Sequence, residues 1–196
     1  MKSIVYVTNT FPTLTWFLEN EVYRLRQRGF QVQVITLRRV SDQYQPEHKS
    51  LVLITRSMGS PFALQGWLAL LEWLVRRPHV LIPELARIVW ASRASAYALA
   101  GHLGYLPAAA RIAKVVEREG IEQVHGAWAH FPATVAYLAA RLTGRTFSMA
   151  GHAGGDIHRT QAFLAQKVRA AQFVTACVRE NAETLRRLGG PGARVE

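Results

Sequence analysis

Ser3-Ile4-Val5-Tyr6-Val7-Thr8 opens the chain as a buried strand, and Gln31-Val32-Gln33-Val34-Ile35-Thr36-Leu37 follows as a second. Four successive apolar residues, Ile4 to Val7, suit a strand covered on both faces. Between the two runs, Trp16 to Arg28 carries Phe17, Val22 and Leu25 on a helical pattern and stops at Gly29. Strand, helix and strand in this order make a βαβ unit, which requires parallel pairing. Asn9-Thr10-Phe11-Pro12-Thr13 reads as the loop between the first strand and its helix.

The alternation continues outward from this unit. Arg38 to Lys49 is a polar linker, and Leu51 to Thr55 reads as a third strand. Phe62 to Val75 reads as a helix apolar on almost every face, closed by Arg76-Arg77-Pro78. A further helix is expected from Pro83 to Ala100, and another from Leu106 to Glu119, ended by Gly120. Strands are expected at Ile121–His125, Arg145–Ala150 and Gln172–Ala176. Helices are expected at Pro132–Leu142, Gln161–Ala171 and Asn181–Leu188. No internal repeat is evident. The class is α/β, a Rossmann-like parallel sheet flanked by helices. Ala193-Arg194-Val195-Glu196 starts another strand-like segment, which leads to the expectation of a longer reading frame with a further domain.

The chain of 196 residues is long enough for one sizeable core, and 49% hydrophobic residues exclude a disordered chain. Its single cysteine, Cys177, excludes an internal disulfide and fits a reducing compartment; we read it as a small buried hydrophobe. No signal peptide is expected, since Lys2 is followed at once by a strand-like run. A net charge of +11 favours anionic partners, either nucleotide-sugars or phospholipid headgroups. The basic residues are dispersed and no nucleic-acid motif occurs, so nucleic acid is not an expected partner. The Phe62–Val75 helix is too short to span a bilayer, which takes about 20 apolar residues. It reads either as a core helix or as one lying in a membrane interface beside Arg76 and Arg77.

Ligands of open parallel sheets bind beyond the carboxyl ends of the strands. That rule selects three loops: Thr10 to Thr15, His125 to His130, and Gly151 to His158. Four of the seven histidines, His125, His130, His152 and His158, fall in the last two, while His48, His79 and His102 do not. In Gly151-His152-Ala153-Gly154-Gly155-Asp156-Ile157-His158 the glycines are expected to reach positive φ and present N–H groups as an anion nest. His152 could donate to a phosphate oxygen or a sugar hydroxyl. Asp156 could orient a ligand hydroxyl or cap the next helix. His158 reads as helix-start surface. His125 next to Gly126 reads as cleft-facing, Trp128 as a sugar-stacking or core ring, and His130 is given no role. The dinucleotide fingerprint, the P-loop, the Gly-x-Ser-x-Gly elbow and the His-Glu-x-x-His site are all missing from the sequence.

Four segments resemble the N-terminal lobe of family 4 glycosyltransferases, of the GT-B group, with the colanic-acid and exopolysaccharide type nearest by motif. Phe11-Pro12-Thr13-Leu14-Thr15 with Glu21 is similar to a Phe-Pro-x-x-Ser-Glu-Thr-Phe pattern. Val124-His125-Gly126-Ala127-Trp128-Ala129 is similar to a His-Ala-His-Trp/Phe-Ala element. Phe147-Ser148 through His152 to Asp156-Ile157 is similar to a Phe-Ser-x-x-x-His-x-x-Asp-Ile element. Thr175-Ala176-Cys177 with Asn181 resembles the strand and helix that close the lobe. The first loop is one residue short, Ala127 replaces a second histidine, one extra glycine (Gly154 or Gly155) separates His152 from Asp156, and Val178 replaces a capping Ser or Thr.

The resemblance implies a retaining glycosyltransferase, of hexosyltransferase type, working in cell-surface glycan biosynthesis. It would transfer sugar from a nucleotide-sugar to a lipid-linked or polysaccharide acceptor. Its expected location is the cytoplasm, peripheral on the inner face of the membrane. Residues 1–196 would be the acceptor-binding lobe, inactive alone, with the C-terminal donor-binding lobe missing. His152 and Asp156 would be catalytic, and Thr10, Thr15, Glu21, His125, Trp128, Gly154 and Gly155 would bind substrate. Neither a metal nor a cofactor is expected, the nucleotide-sugar being the donor substrate. Two other classes remain open: a metal-dependent hydrolase using His125, His152, Asp156 and His158, or a non-catalytic peripheral membrane protein.

Overall fold

The structure, a computed structural model, describes residues 2–13, 16–42, 44–60, 63–152, 154–158 and 162–196. Six strands pair in parallel: β1 (Ser3–Phe11), β2 (Gln31–Val40), β3 (Thr55–Ser57), β4 (Gln123–Gly126), β5 (Thr146–Gly151) and β6 (Val174–Ala176), in the spatial order β3-β2-β1-β4-β5-β6. The order reverses between β1 and β4, so a crevice forms beyond the carboxyl ends of those two strands. Val195 adds a parallel bridge to Val174 outside β6.

The two faces are covered unequally. Alternate residues of β1 and β2, among them Ile4, Tyr6, Val32 and Val34, pack under Leu18 and Val22 of α1 (Trp16–Gln27). Val5, Val7 and Ile35 point the other way, into the larger core beneath α6 (Leu106–Arg118) and α7 (Phe131–Thr143). Eleven of the thirteen residues of α7 are buried, because it is packed between the sheet and the helices outside it. Four alanines let the helix fit that space, and Gly144 ends it with φ 69°, the left-handed conformation that a helix C-terminus favours. Gly126 lies beneath its first turn, where an added Cβ would stand 2.4 Å from Ala133 Cα.

Three expected boundaries change. β1 continues to Phe11, past a register shift between Thr8 and Thr10, because β2 extends alongside it to Val40; Thr10 is therefore a strand residue, not a loop residue. Leu51 lies in a helical turn, α2 (Lys49–Val52), whose packing buries it under the α1 face, and the strand begins at Thr55. The helix expected at Pro83–Ala100 is two helices, α4 (Pro78–Ser92) and α5 (Ala96–Gly104), because the Ser95 hydroxyl caps a new start by accepting from Ala98 N at 3.2 Å. The apolar helix, α3 (Leu64–Arg76), turns Gly66, Ala69 and Trp73 inward and leaves its opposite side exposed. The short α8 (Gly154–Ile157), α9 (Leu164–Ala170) and α10 (Arg179–Gly189) complete the chain.

Candidate functional site

His152 leaves the carboxyl end of β5 and is held at nearly every polar atom. Its Nε2–H donates to Ala127 O at 3.0 Å, and since a carbonyl only accepts, that contact assigns the tautomer. Its backbone N–H donates to Asp156 Oδ2 at 2.9 Å. Its carbonyl accepts from Asn181 Nδ2 at 2.7 Å and from Cys177 Sγ at 2.8 Å. The ring packs against Phe17 and Trp128, each with its centroid 4.7 Å away, and those two rings meet edge-on 5.9 Å apart. Trp128 is itself tethered, donating from Nε1 to Thr8 Oγ1 at 3.2 Å. Its Nδ1 lies 3.6 Å from Cys177 Sγ, whose single proton is better placed for the His152 carbonyl at 2.8 Å, so among the described residues no closer donor meets the Nδ1 lone pair.

Asp156 joins the two histidine-bearing loops. Oδ1 accepts from His130 N and His130 Nδ1, both at 2.9 Å, while Oδ2 takes the His152 amide. The carboxylate is 5% exposed, and these three donors occupy both of its oxygens. These contacts tie the two loops together through both oxygens, an arrangement that suits a positioning residue. His130, given no role from sequence, lies at the centre of this network, its Nε2 accepting from Asn9 Nδ2 at 3.3 Å.

Beneath the network lies Lys167, 1% exposed. Its ammonium donates to Ala129 O, to His130 O at 2.9 Å and to Thr134 Oγ1 at 3.0 Å, which accounts for its three protons. Burial lowers its pKa to about 7, against the opposing pull of Asp156. The sequence hinted at this residue: Leu164, Lys167 and Val168 share one buried helix face, an unusual place for an unpartnered lysine. Phe17 and Cys177 were also missed. Cys177 is exposed, not a buried hydrophobe, because β6 ends at Ala176 and delivers it to the rim.

The expected site divides into two. His152, Trp128, Asp156, Gly154 and Gly155 gather at the rim, whereas His125 and Glu21 do not. β4 runs through Gly126, so His125 is a strand residue facing the α1 side, 2% exposed. Its Nδ1 meets Ser148 Oγ at 2.8 Å, its ring lies 4.5 Å from that of Tyr6, and its buried Nε2 has no partner among the described residues. Burial, and secondarily His152, lowers its pKa to about 3. Glu21 accepts from Tyr6 Oη at 2.6 Å. Both line a separate cavity of about 460 Å³ with Lys2, Gln123 and Phe173, toward the amino ends of the strands. Thr10 is half-buried within β1, and Thr15 lies outside the described residues.

Neither Gly151 nor Gly155 has the positive φ expected of an anion nest. Gly151 instead allows Leu185 and Ile157 to pack closely, and Gly155 is helical with open space where a Cβ would go. The four groups of the hydrolase alternative do not converge. His125 is bonded to Ser148, His152 to Ala127, Asp156 to His130, and His158 to Asn181 at 3.1 Å. Among the described residues no three His, Cys, Asp or Glu side chains are grouped to hold a metal ion.

Solved structures share this arrangement of strands and helices. HepE of Anabaena, in complex with UDP and glucose, superimposes with a TM-score of 0.58 at 11% identity, over 100% of this chain and 43% of that one. MurG of Acinetobacter baumannii gives 0.53 at 15%, over 100% and 45%. MnaA of S. aureus, with UDP, gives 0.53 at 13%, over 100% and 43%. This chain has the fold of one GT-B lobe. It spans less than half the length of each of these proteins. No protein-family profile and no curated protein sequence matches it. The GT-B lobe of this chain carries its rim cluster where the sheet order reverses.

Proposed function

We propose that this GT-B lobe is the acceptor-binding part of a retaining glycosyltransferase, of hexosyltransferase type. It takes sugar from a nucleotide-sugar and delivers it to a lipid-linked or polysaccharide acceptor in cell-surface glycan synthesis. The observation that carries the reading is the fixed imidazole of His152 at the carboxyl rim. With Nε2–H committed to Ala127 O and the ring packed against Phe17 and Trp128, the side chain is held in place, and its Nδ1 lone pair, 3.6 Å from the Cys177 thiol, is the function left for a ligand. A lone pair held without rotational freedom recognises a hydroxyl donor, and hydroxyls are what a sugar offers. Trp128 adds an apolar ring at the same place, suited to the C–H face of a pyranose. Family resemblance supports family 4 and the exopolysaccharide type, and the UDP-containing structures of similar fold support a nucleotide-sugar donor.

In this mechanism Asp156 and Lys167 touch no substrate. They hold the 127–130 and 151–157 loops so that His152 Nδ1 keeps its aim through the reaction, and contacts made at fixed geometry favour the transition state. The test is sugar transfer by the full gene product with a panel of labelled nucleotide-sugars. His152→Ala is expected to lower kcat/KM by about tenfold or more, the scale of one lost transition-state hydrogen bond. Unchanged turnover would remove His152 from the reaction.

A further inference from the structure

α3, α4 and α5 form a layer outside α6 and α7, and that layer is unusually apolar on its outer side. Among the described residues, ten of the fourteen exposed large hydrophobic side chains lie between positions 64 and 97. On α3, Leu64, Leu68, Leu71 and Val75 recur at the i, i+4, i+7, i+11 spacing of a single stripe, with Leu64 72% and Val75 82% exposed. Trp67 extends that stripe, and on α4 Trp90 is 67% exposed. The inward contacts of α3 are satisfied separately by Gly66 against Pro107 and by Trp73, whose Nε1 donates to Ala110 O at 3.1 Å. The outer stripe is therefore not a core face left half-packed.

Residues 64–104 contain four arginines and two glutamates; Arg76 pairs with Glu72 and Glu117, and Arg87 with Glu84, so Arg77 and Arg93 carry the charge that no carboxylate matches among the described residues. Glu84 is buried, bonded to Tyr137, Arg87 and Arg141, so its charge does not face outward. Arg93 lies over the Trp90 ring, 3.9 Å from its centroid, which puts a guanidinium and an indole together at the edge of the apolar face. Indole and arginine at one level suit the headgroup zone of a bilayer.

We infer that the outer face of α3, α4 and α5 docks on a bilayer containing anionic phospholipid. The helices lie in the interface and do not cross it: at 13 and 15 residues α3 and α4 are short of a span, and no helix among the described residues is long and apolar enough for one. Charge decides the occupant. A second copy would bring Arg77 and Arg93, on chains of net charge +11, against their own counterparts, whereas acidic headgroups neutralise them. The inference goes beyond sugar transfer and stands or falls separately from it.

The test is flotation of the purified chain with phosphatidylcholine vesicles, with and without phosphatidylglycerol. Binding is expected with phosphatidylglycerol and is expected to weaken as salt is raised. The Trp67→Ser/Trp90→Ser pair, both exposed, should lower the bound fraction by about tenfold at unchanged circular dichroism. Arg77→Glu/Arg93→Glu should abolish the preference for phosphatidylglycerol. The inference is overturned if the chain fails to float with acidic vesicles, or if the tryptophan pair floats as the parent does. It is also overturned if that pair instead abolishes a concentration-dependent dimer seen by light scattering.

Discussion

The carboxylate of Asp156 accepts three hydrogen bonds from two loops, two of them from backbone N–H groups that have no other acceptor recorded. In Asp156→Asn one oxygen becomes an NH2 group, which turns a donor toward another donor. A buried amide left unsatisfied costs about 1–3 kcal/mol, and we expect the variant to lose about 2 kcal/mol of unfolding free energy, read as a lower urea midpoint. The more specific readout is amide exchange, in which protection at His130 and His152 should fall while β1 and β4 stay protected. Equal protection in the variant would mean that the carboxylate does not tie the loops. The same residue separates what a motif conveys from what it leaves out. An aspartate four positions beyond a rim histidine points to the right place, but only the donors around it decide between binding a ligand and holding a loop.

Gly126 raises the same question at the scale of an element. Its role is contact distance, since the N-terminal turn of α7 comes so near β4 that a Cβ would stand 2.4 Å from Ala133 Cα. The opposing atom is backbone, which gives little, so Gly126→Ala is expected to cost about 1–3 kcal/mol or more by overpacking. Gly104→Ala, at the end of α5 with nothing within 4 Å, serves as the neutral control. Equal midpoints for the two variants would show that α7 can ride up without loss. The strands, their parallel sense and the loops at the rim were legible because buried β runs separated by helical periods admit few other arrangements. The placement of His125 was not legible. Whether it faces a sheet side or the rim depends on one residue of strand length, and β4 includes Gly126. Lys167 was overlooked despite sharing a face with Leu164 and Val168, because a lysine beside apolar residues reads as a solvated edge until three acceptors are found around it. Ser95 was overlooked as a cap, so two helices read as one.

For the molecule as a whole, the buried titratable groups set a pH window. Burial lowers both His102, helped by the charges of Lys167 and His130, and His125 to about 3. An unfolded histidine titrates near 6.5, so between about 6.5 and 3 the unfolded chain binds more protons than the folded one. Stability is then lost as pH falls through that range, at up to about 1.4 kcal/mol per pH unit for each histidine. Lys167, lowered by burial to about 7, has the same sign higher up. The unfolded lysine stays protonated until about 10.4, so stability grows as pH rises from about 7 toward 10. Tyr6 and Tyr137 close the window, because burial, aided by Glu21 and Glu84 respectively, raises both above the ordinary tyrosine value. They resist ionisation when folded and ionise near 10 when unfolded, so stability is lost above that pH. The three slopes place the most stable pH between about 7 and 10, on the alkaline side of the common range of about 5 to 8. Urea midpoints measured from pH 4 to pH 10.5 test this. His125→Gln should flatten the acid limb, and Lys167→Met should remove the rise between 7 and 10 while leaving the acid limb in place. A maximum near pH 5.5, or an acid limb unaltered in His125→Gln, would mean that these side chains are hydrated in solution and that the sheet face over β4 and β5 is not closed around them.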